Sequence, residues 1–325
     1  MTAMRYSLLD RSRTRAGRPE QAALRDSLER AVAAERLGYH RFWAAEHHTV
    51  PGIASGAPAV LLAAAGQHTS RIRLGTGGIM LPNHRPLVVA EQILMLDSLT
   101  PGRVDLGLGR SLGFTAPVRE ALGRSEASPE QFAQEVAEVR HYLEGTAALT
   151  ARPVAESPPP IFLLATGSGL DTAARLGLPV VLGGPVLGAA ELPERLASYR
   201  RAFRPHRGSA PNVILSADVL VADTDAEARE LALPEVWAMA RSRQTGEFPP
   251  LDSVATIRAR ALSGRERSRI ERGLATTWAG SERTVAARIE EVMERTAADE
   301  LLASGSTFDR EALAASDRRV AALLG

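Results

Sequence analysis

The side chains best suited to acid–base chemistry stand together at Glu46-His47-His48, directly after the apolar run at 40–45. Histidine titrates nearest neutrality, so a pair following a strand reads as a proton-transfer site. A pair that only satisfies loop carbonyls is the competing reading. Adjacent residues of a strand point to opposite faces, which weighs against one shared metal ion, and no other His/Asp/Glu cluster stands at ligand spacing. Gly75-Thr76-Gly77-Gly78 interrupts the apolar segment 72–81. Glycines inside a strand mark either a ligand approaching the backbone or a kink that serves packing. Gly107, Gly109 and Gly113 around Arg110 make a poor dinucleotide fingerprint, with the spacing off by one and no helix opening directly behind. They read instead as a strand end under a flat ligand, with Arg110 either binding phosphate or facing solvent. Thr166-Gly167-Ser168-Gly169 precedes a helical stretch at 170–176. Its amides and hydroxyls suit an anion at a helix start, or no more than a cap from Ser168.

These residues are positioned by a recurring unit, a short apolar run followed by an amphipathic stretch. The pattern predicts strands at 5–9, 40–45, 72–81, 103–108, 161–164, 180–182 and 213–221, with the run at 300–303 closing the series. Helices are predicted at 20–37, 58–68, 87–99, 130–143, 170–176, 189–203, 225–240 and 282–294. Such alternation implies parallel strands with helical crossovers, and the near-continuous apolarity of the strands implies that both faces are covered. About eight units fit a single (β/α)8 TIM barrel over 1–325 better than an open doubly wound sheet. Residues 151–160 are Pro-rich and read as a loop. Residues 241–280 carry GEFPPL and an arginine-rich helical piece, too long for a plain connection, and read as a lid-like insertion late in the barrel.

Basic and acidic side chains number 39 and 38, for a net charge of +1, which argues against nucleic acid or a membrane surface as partner. Every basic residue is arginine, and cysteine is absent as well. A Schiff-base lysine, a P-loop lysine, a thiol nucleophile, a Cys-ligated metal and a disulfide are therefore excluded. No apolar run approaches the ~20 residues that a bilayer span requires. The N-terminus enters a strand-like segment with no signal region, so a soluble cytoplasmic protein is expected. No Walker motif, G-x-S-x-G elbow or NAD(P)H site is legible.

Across these motifs the chain resembles the bacterial luciferase-like, flavin-dependent monooxygenases. LGYHRFWAAEHH, IRLGTGGIMLP and AEQILMLDSLTPGRVDLGLGR follow in that family's order, and PPPIFLLATGSG and WAGSERTVAARIEE extend the likeness over nearly the whole chain. PGIASGAPAVLLAA and LPNHRPLVVAEQ look closest to the branch of the mensacarcin-biosynthesis monooxygenase. The resemblance implies a (β/α)8 barrel with FMN, as FMNH2, at its C-terminal mouth, and usually a homodimer. It also implies O2 chemistry through a flavin C4a-(hydro)peroxide that oxygenates a small hydrophobic substrate. Carried over by position, His47 matches the catalytic histidine, and Gly77-Gly78 falls at a non-prolyl cis peptide under the flavin ring. Arg110 matches the phosphate arginine, and Thr166, Gly167, Ser168 and Gly169 match the phosphate loop. Gly109 stands where light-emitting members have a cysteine, and Phe132 falls near their second phosphate arginine. Loosely held FMNH2, taken up as a diffusible substrate, is therefore expected, with a separate NAD(P)H:flavin reductase supplying it. Val236 to Met239 and Phe248-Pro249-Pro250 suit a hydrophobic molecule such as an aromatic polyketide, with core packing the equal alternative. An F420-dependent oxidoreductase of the same fold and a non-catalytic flavin-binding protein remain as alternatives.

Overall fold

Apolar strands separated by helices close here on themselves into a barrel. The computed structural model describes residues 4–165 and 169–325. Its strands are β1 (Arg5–Asp10), β2 (Arg41–Ala44), β3 (Arg73–Thr76), β4 (Ile79–Met80), β5 (Val104–Gly109), β6 (Ile161–Leu164), β7 (Val180–Gly183), β8 (Val213–Ala217), β9 (Val219–Ala222), β10 (Trp278–Ser281) and β11 (Glu300–Ala303). The sheet runs β3-β2-β1-β11-β8-β7-β6-β5-β4, and a β3–β5 pairing closes the ring. Because β4 prolongs β3 beyond a cis Gly77–Gly78 peptide, the closed parallel barrel has eight strand positions. The helices are α1 (Ala22–Arg36), α2 (Pro58–Gly66), α3 (Pro86–Leu99), α4 (Ala116–Ala121), α5 (Pro129–Leu143), α6 (Gly169–Leu176), α7 (Leu192–Ala202), α8 (Asp225–Thr245), α9 (Val254–Arg258), α10 (Gly264–Thr276), α11 (Glu282–Thr296) and α12 (Arg310–Leu324).

The interior is layered. At the N-terminal end, Arg41 bridges Asp105 at 2.6 Å and Glu300 at 2.9 Å, and Arg73 takes the other Asp105 oxygen at 2.6 Å. Ser7 donates its hydroxyl to Glu300. Each buried charge has an opposite partner, the condition under which an ionic core is tolerated. Above this layer Leu9, Trp43, Phe162, Val181, Ile214 and Leu302 pack as an apolar plug. Trp43 meets Phe162 edge-on with centroids 5.2 Å apart, and its Nε1 donates to Asp105 at 3.3 Å. Gly75 is required here for packing, since a Cβ would lie 2.1 Å from that indole nitrogen.

Several elements differ from the sequence expectation. The run at 213–221 is two strands, broken at Asp218, whose carboxylate turns to Arg11 at 2.9 Å and to the Ser304 hydroxyl at 2.7 Å. Beyond that break β9 leaves the barrel and pairs in parallel with β10. Helix α8 passes through Pro234 and continues to Thr245, stopping at left-handed Gly246. Helix α12 follows the last strand under an Asp309 cap and packs on β9. Residues 241–280 thus begin in the last turn of α8, include α9 and α10, and end in β10.

Candidate functional site

The barrel opens above Trp43 into a cavity of about 890 Å³. Leu9, Trp43 and Gly77 form its floor, and Gly109, Arg110 and Gly169 form one wall at the ends of β5 and β6. Asp218 and Ser304 stand on the other wall, under Val236 and Met239 of α8 and Arg269 and Gly273 of α10. This is the C-terminal face of the barrel, where loops after the strands build ligand sites.

Gly77 and Gly78 share the cis peptide, and Gly77 donates its N–H to Ala44 O at 2.7 Å. A Cβ on Gly78 would lie 2.8 Å from Gly107 O, and one on Gly77 would lie 2.4 Å from a Leu9 methyl. Gly77 therefore gives the cavity a floor of bare backbone, with Gly78 packed against Gly107 and Leu164. Arg110 is half-buried and reaches only Ala127 O, at 3.5 Å, with no acidic partner among the described residues. Gly169 opens α6 on the same wall. Thr166, Gly167 and Ser168 lie outside the described residues. Phe132, where a second phosphate arginine was sought, also lines the cavity and is buried.

His47 stands beside this cavity rather than on its wall. Its N–H donates to Ser55 O at 2.9 Å, and its ring stacks on Phe114 at 5.6 Å with an interplanar angle of 8°. Phe248, from the insertion, lies 5.1 Å from Phe114 in turn. Nδ1 of His47 is sealed from solvent with no partner among the described residues. Burial, reinforced by the charges of Arg11 and Arg13, pushes the imidazole down to about 4. The ring is therefore neutral at pH 7, able to give or accept a hydrogen bond but a weak base.

The neighbouring residues have a different task. The buried Glu46 carboxylate meets Nε2 of both His48 and His84 at 2.7 Å through one oxygen, and through the other accepts the Met80 N–H at 3.2 Å. Burial pushes this carboxyl up, but the two histidine hydrogen bonds outweigh it and hold it below the usual range. One ligand atom from each of the three side chains falls within 4.8 Å of the others. The sequence reading missed His84, whose place beside Glu46 follows only from the adjacency of β2 to β3 and its extension.

Arg11, Asp218 and Glu235 were also missed. Arg11 pairs with Asp218 at 2.9 Å and Glu235 at 3.4 Å, and Arg13 Nε pairs with Glu235 at 2.7 Å. Their signal was the alternation Arg11, Arg13, Arg15 directly behind β1. Of the apolar candidates, Val236 and Met239 line the cavity. Trp237 instead packs on Ile257 and Ile270, and Phe248 belongs to the aromatic stack over His47.

Residues 4–300 match the family described as luciferase-like monooxygenase. The N-acetyl-S-alkylcysteine monooxygenase of Bacillus subtilis is 37% identical over 239 residues, 70% of this chain and 70% of its own. The crystal structure of apo-MsnO8 superposes with a TM-score of 0.87 at 30% identity, covering 99% of both chains. The FMN-bound oxygenating constituent of 3,6-diketocamphane monooxygenase from Pseudomonas putida has the same fold, with a TM-score of 0.76 at 19% identity over 99% of this chain and 98% of that one.

Proposed function

The chain belongs to the luciferase-like monooxygenase family, and from that premise we propose that it is an FMNH2-dependent monooxygenase acting with O2 on a small, largely hydrophobic organic substrate. The observation that carries this reading is the bare-backbone floor at Gly77 in one cavity with Arg110, which has no acidic partner among the described residues. The cavity volume lies in the range of about 300–1,000 Å³ typical of ligand sites. When bound, FMNH2 supplies the two electrons with which one atom of O2 enters the substrate while the other leaves as water.

The chain's own residues do the rest. Gly77 and Trp43 support the ring system, and Arg110 with the segment 166–169 takes the phosphate, using the guanidinium and the amides at the start of α6. Neutral His47 offers a hydrogen bond to the reacting oxygen or the substrate. Helices α8 and α10 exclude water from above. Val236 and Met239 face the organic body of the substrate, of the kind an aromatic polyketide presents. Phe132 in place of a second arginine leaves the phosphate grip weak, which supports FMNH2 as a diffusible substrate delivered by a separate NAD(P)H:flavin reductase.

Arg110→Ala should weaken FMN by about 1.5–3 kcal/mol, the scale of a hydrogen bond to a charged group, and leave riboflavin binding unchanged. Fluorescence titration of both flavins decides it. Riboflavin lost in step with FMN would assign Arg110 to the fold and remove the phosphate site from the account. Supplied with NADH and FMN alone, the purified chain should consume no oxygen; uptake without a reductase would contradict the two-protein reading.

A further inference from the structure

We propose that the cavity carries a second anion site, formed by Arg269 with Arg243 and Arg272, and that it takes a carboxylate at one end of the organic substrate. The inference rests on the proposed function, because it leaves Arg110 to the flavin phosphate and assigns the arginines of the insertion to a different group. The three project from late α8 and from α10 onto the cavity that has Gly77 as its floor. Arg269 is half-buried, and its Nη1 is sealed from solvent with no partner among the described residues. The remainder of the side chain lines the cavity, where a half-buried guanidinium offers its N–H groups to a ligand oxygen.

The hydrogen bonds of the nearby acids run to other groups, although the charge of Arg269 is felt by the Glu266 carboxylate. Glu266, one turn before Arg269, caps α10 by accepting the N–H and the hydroxyl of Ser263, each at 2.8 Å. Asp218 is held by Arg11 and Ser304, and Glu235 by Arg11 and Arg13. Arg272 reaches only the Ser268 hydroxyl, and Arg243 has no partner among the described residues. Arg243 and Arg272 are exposed, so by themselves they are ordinary solvated cations. Arg269 is the least exposed of the three and so the one whose contact with a ligand is least screened by water, while the other two add field rather than contact. The apolar residues Val236, Met239 and Ala240 line the same cavity beside them. That arrangement fits an amphiphile with its apolar body along α8 and its carboxylate on Arg269, in the charge-assisted geometry a guanidinium favours.

Calorimetric titration of the FMN-saturated protein with 4-phenylbutanoate and with 4-phenylbutanamide tests this without turnover. The acid should bind about 10-fold more tightly than the amide, and Arg269→Leu should bring the acid down to the amide's level. Arg269→Lys should recover part of the preference, which guards against a leucine variant that fails to fold. FMN and riboflavin affinities should not move in either variant. Equal affinity of the wild type for acid and amide, no binding of the acid at millimolar concentration, or a preference that survives Arg269→Leu would overturn the proposal. So would loss of FMN but not riboflavin in Arg269→Leu, which would give Arg269 to the flavin phosphate. Failure of the wild type to bind FMN at all would instead sink the parent reading, and is seen before any acid is added.

Discussion

His47 is neutral across the physiological range, because burial and the charges of Arg11 and Arg13 hold its conjugate acid at about 4. That makes it a hydrogen-bonding group rather than a proton store, since a base works best with a pKa near the working pH. His47→Ala should lower turnover by about 10²-fold or more while FMNH2 binding changes little. The rate should show no inflection near the ordinary histidine value of ~6.5. An inflection there that His47→Gln abolishes would contradict the assignment. Stability follows the same shift. Between pH 6.5 and about 4 the unfolded chain takes up a proton that the folded chain refuses, so stability falls as pH falls through that window. His40, also pushed down to about 4, acts in the same direction. His47→Gln should flatten part of the loss of Tm on acidification; an unchanged slope would mean that His47 titrates normally. The sequence singled out the triplet Glu46-His47-His48 for its chemistry. Its division of labour was not legible, because His48 is committed to Glu46 by a partner, His84, that chain folding alone brings there.

Within the insertion, the segment 248–251 is tied to the barrel by backbone hydrogen bonds, whereas α9 and α10 dock on α8 through side chains. Phe248 O accepts the Gly52 N–H at 2.7 Å, and Leu251 exchanges backbone hydrogen bonds of 2.9 Å with Thr14 and Ala16. Helix α10, by contrast, buries only Ile270. Both α9 and α10 pack on α8 through Ile257 and Ile270; we propose that they are the part of the insertion that opens over the cavity, because a flavin reaction that must exclude water calls for such a cover. Trypsin should cut first at Arg258, Arg260, Arg265 or Arg267, all exposed, and flavin together with substrate should slow the cut. Equal rates with and without ligand, or first cuts outside 241–280, would make this a fixed structural insertion. Most strands and helices were legible from apolar runs and helical spacing. The break at Asp218 was not, because it depends on an arginine at position 11 and a serine at position 304. The split of 72–81 after Gly77 was marked by its glycines, though their resolution into packing at Gly75 and a cavity floor at Gly77 needed the neighbouring Trp43 and Leu9.

At the scale of the molecule, the parallel barrel was legible because strands buried on both faces have no polar edge to show. Its ionic floor was not, since Arg41, Asp105 and Glu300 open or adjoin three separate strands and look like surface charges one at a time. The outer surface carries one further pattern. Val60 on α2 and Val88, Met95 and Leu99 on α3 are 72%, 46%, 57% and 57% exposed, and the two helices are neighbours. Scattered apolar residues are common on surfaces; we propose that those spaced along α3, with Val60 on the neighbouring helix, face a second copy of the chain, as the resemblance implies. Light scattering should give twice the chain mass, and Val88→Asp with Met95→Asp should give the single chain with FMN binding retained. A monomeric wild type would end that reading. Whether this cavity holds FMNH2 and shields its reaction with O2 is read by stopped-flow spectroscopy. Protein titrated anaerobically with FMNH2, and in parallel with reduced F420, is mixed with oxygenated buffer. FMNH2 should bind saturably and be reoxidised through a transient absorbance that free flavin does not show. No binding of FMNH2, reoxidation indistinguishable from free flavin, or binding of reduced F420 in its place would contradict the proposed function.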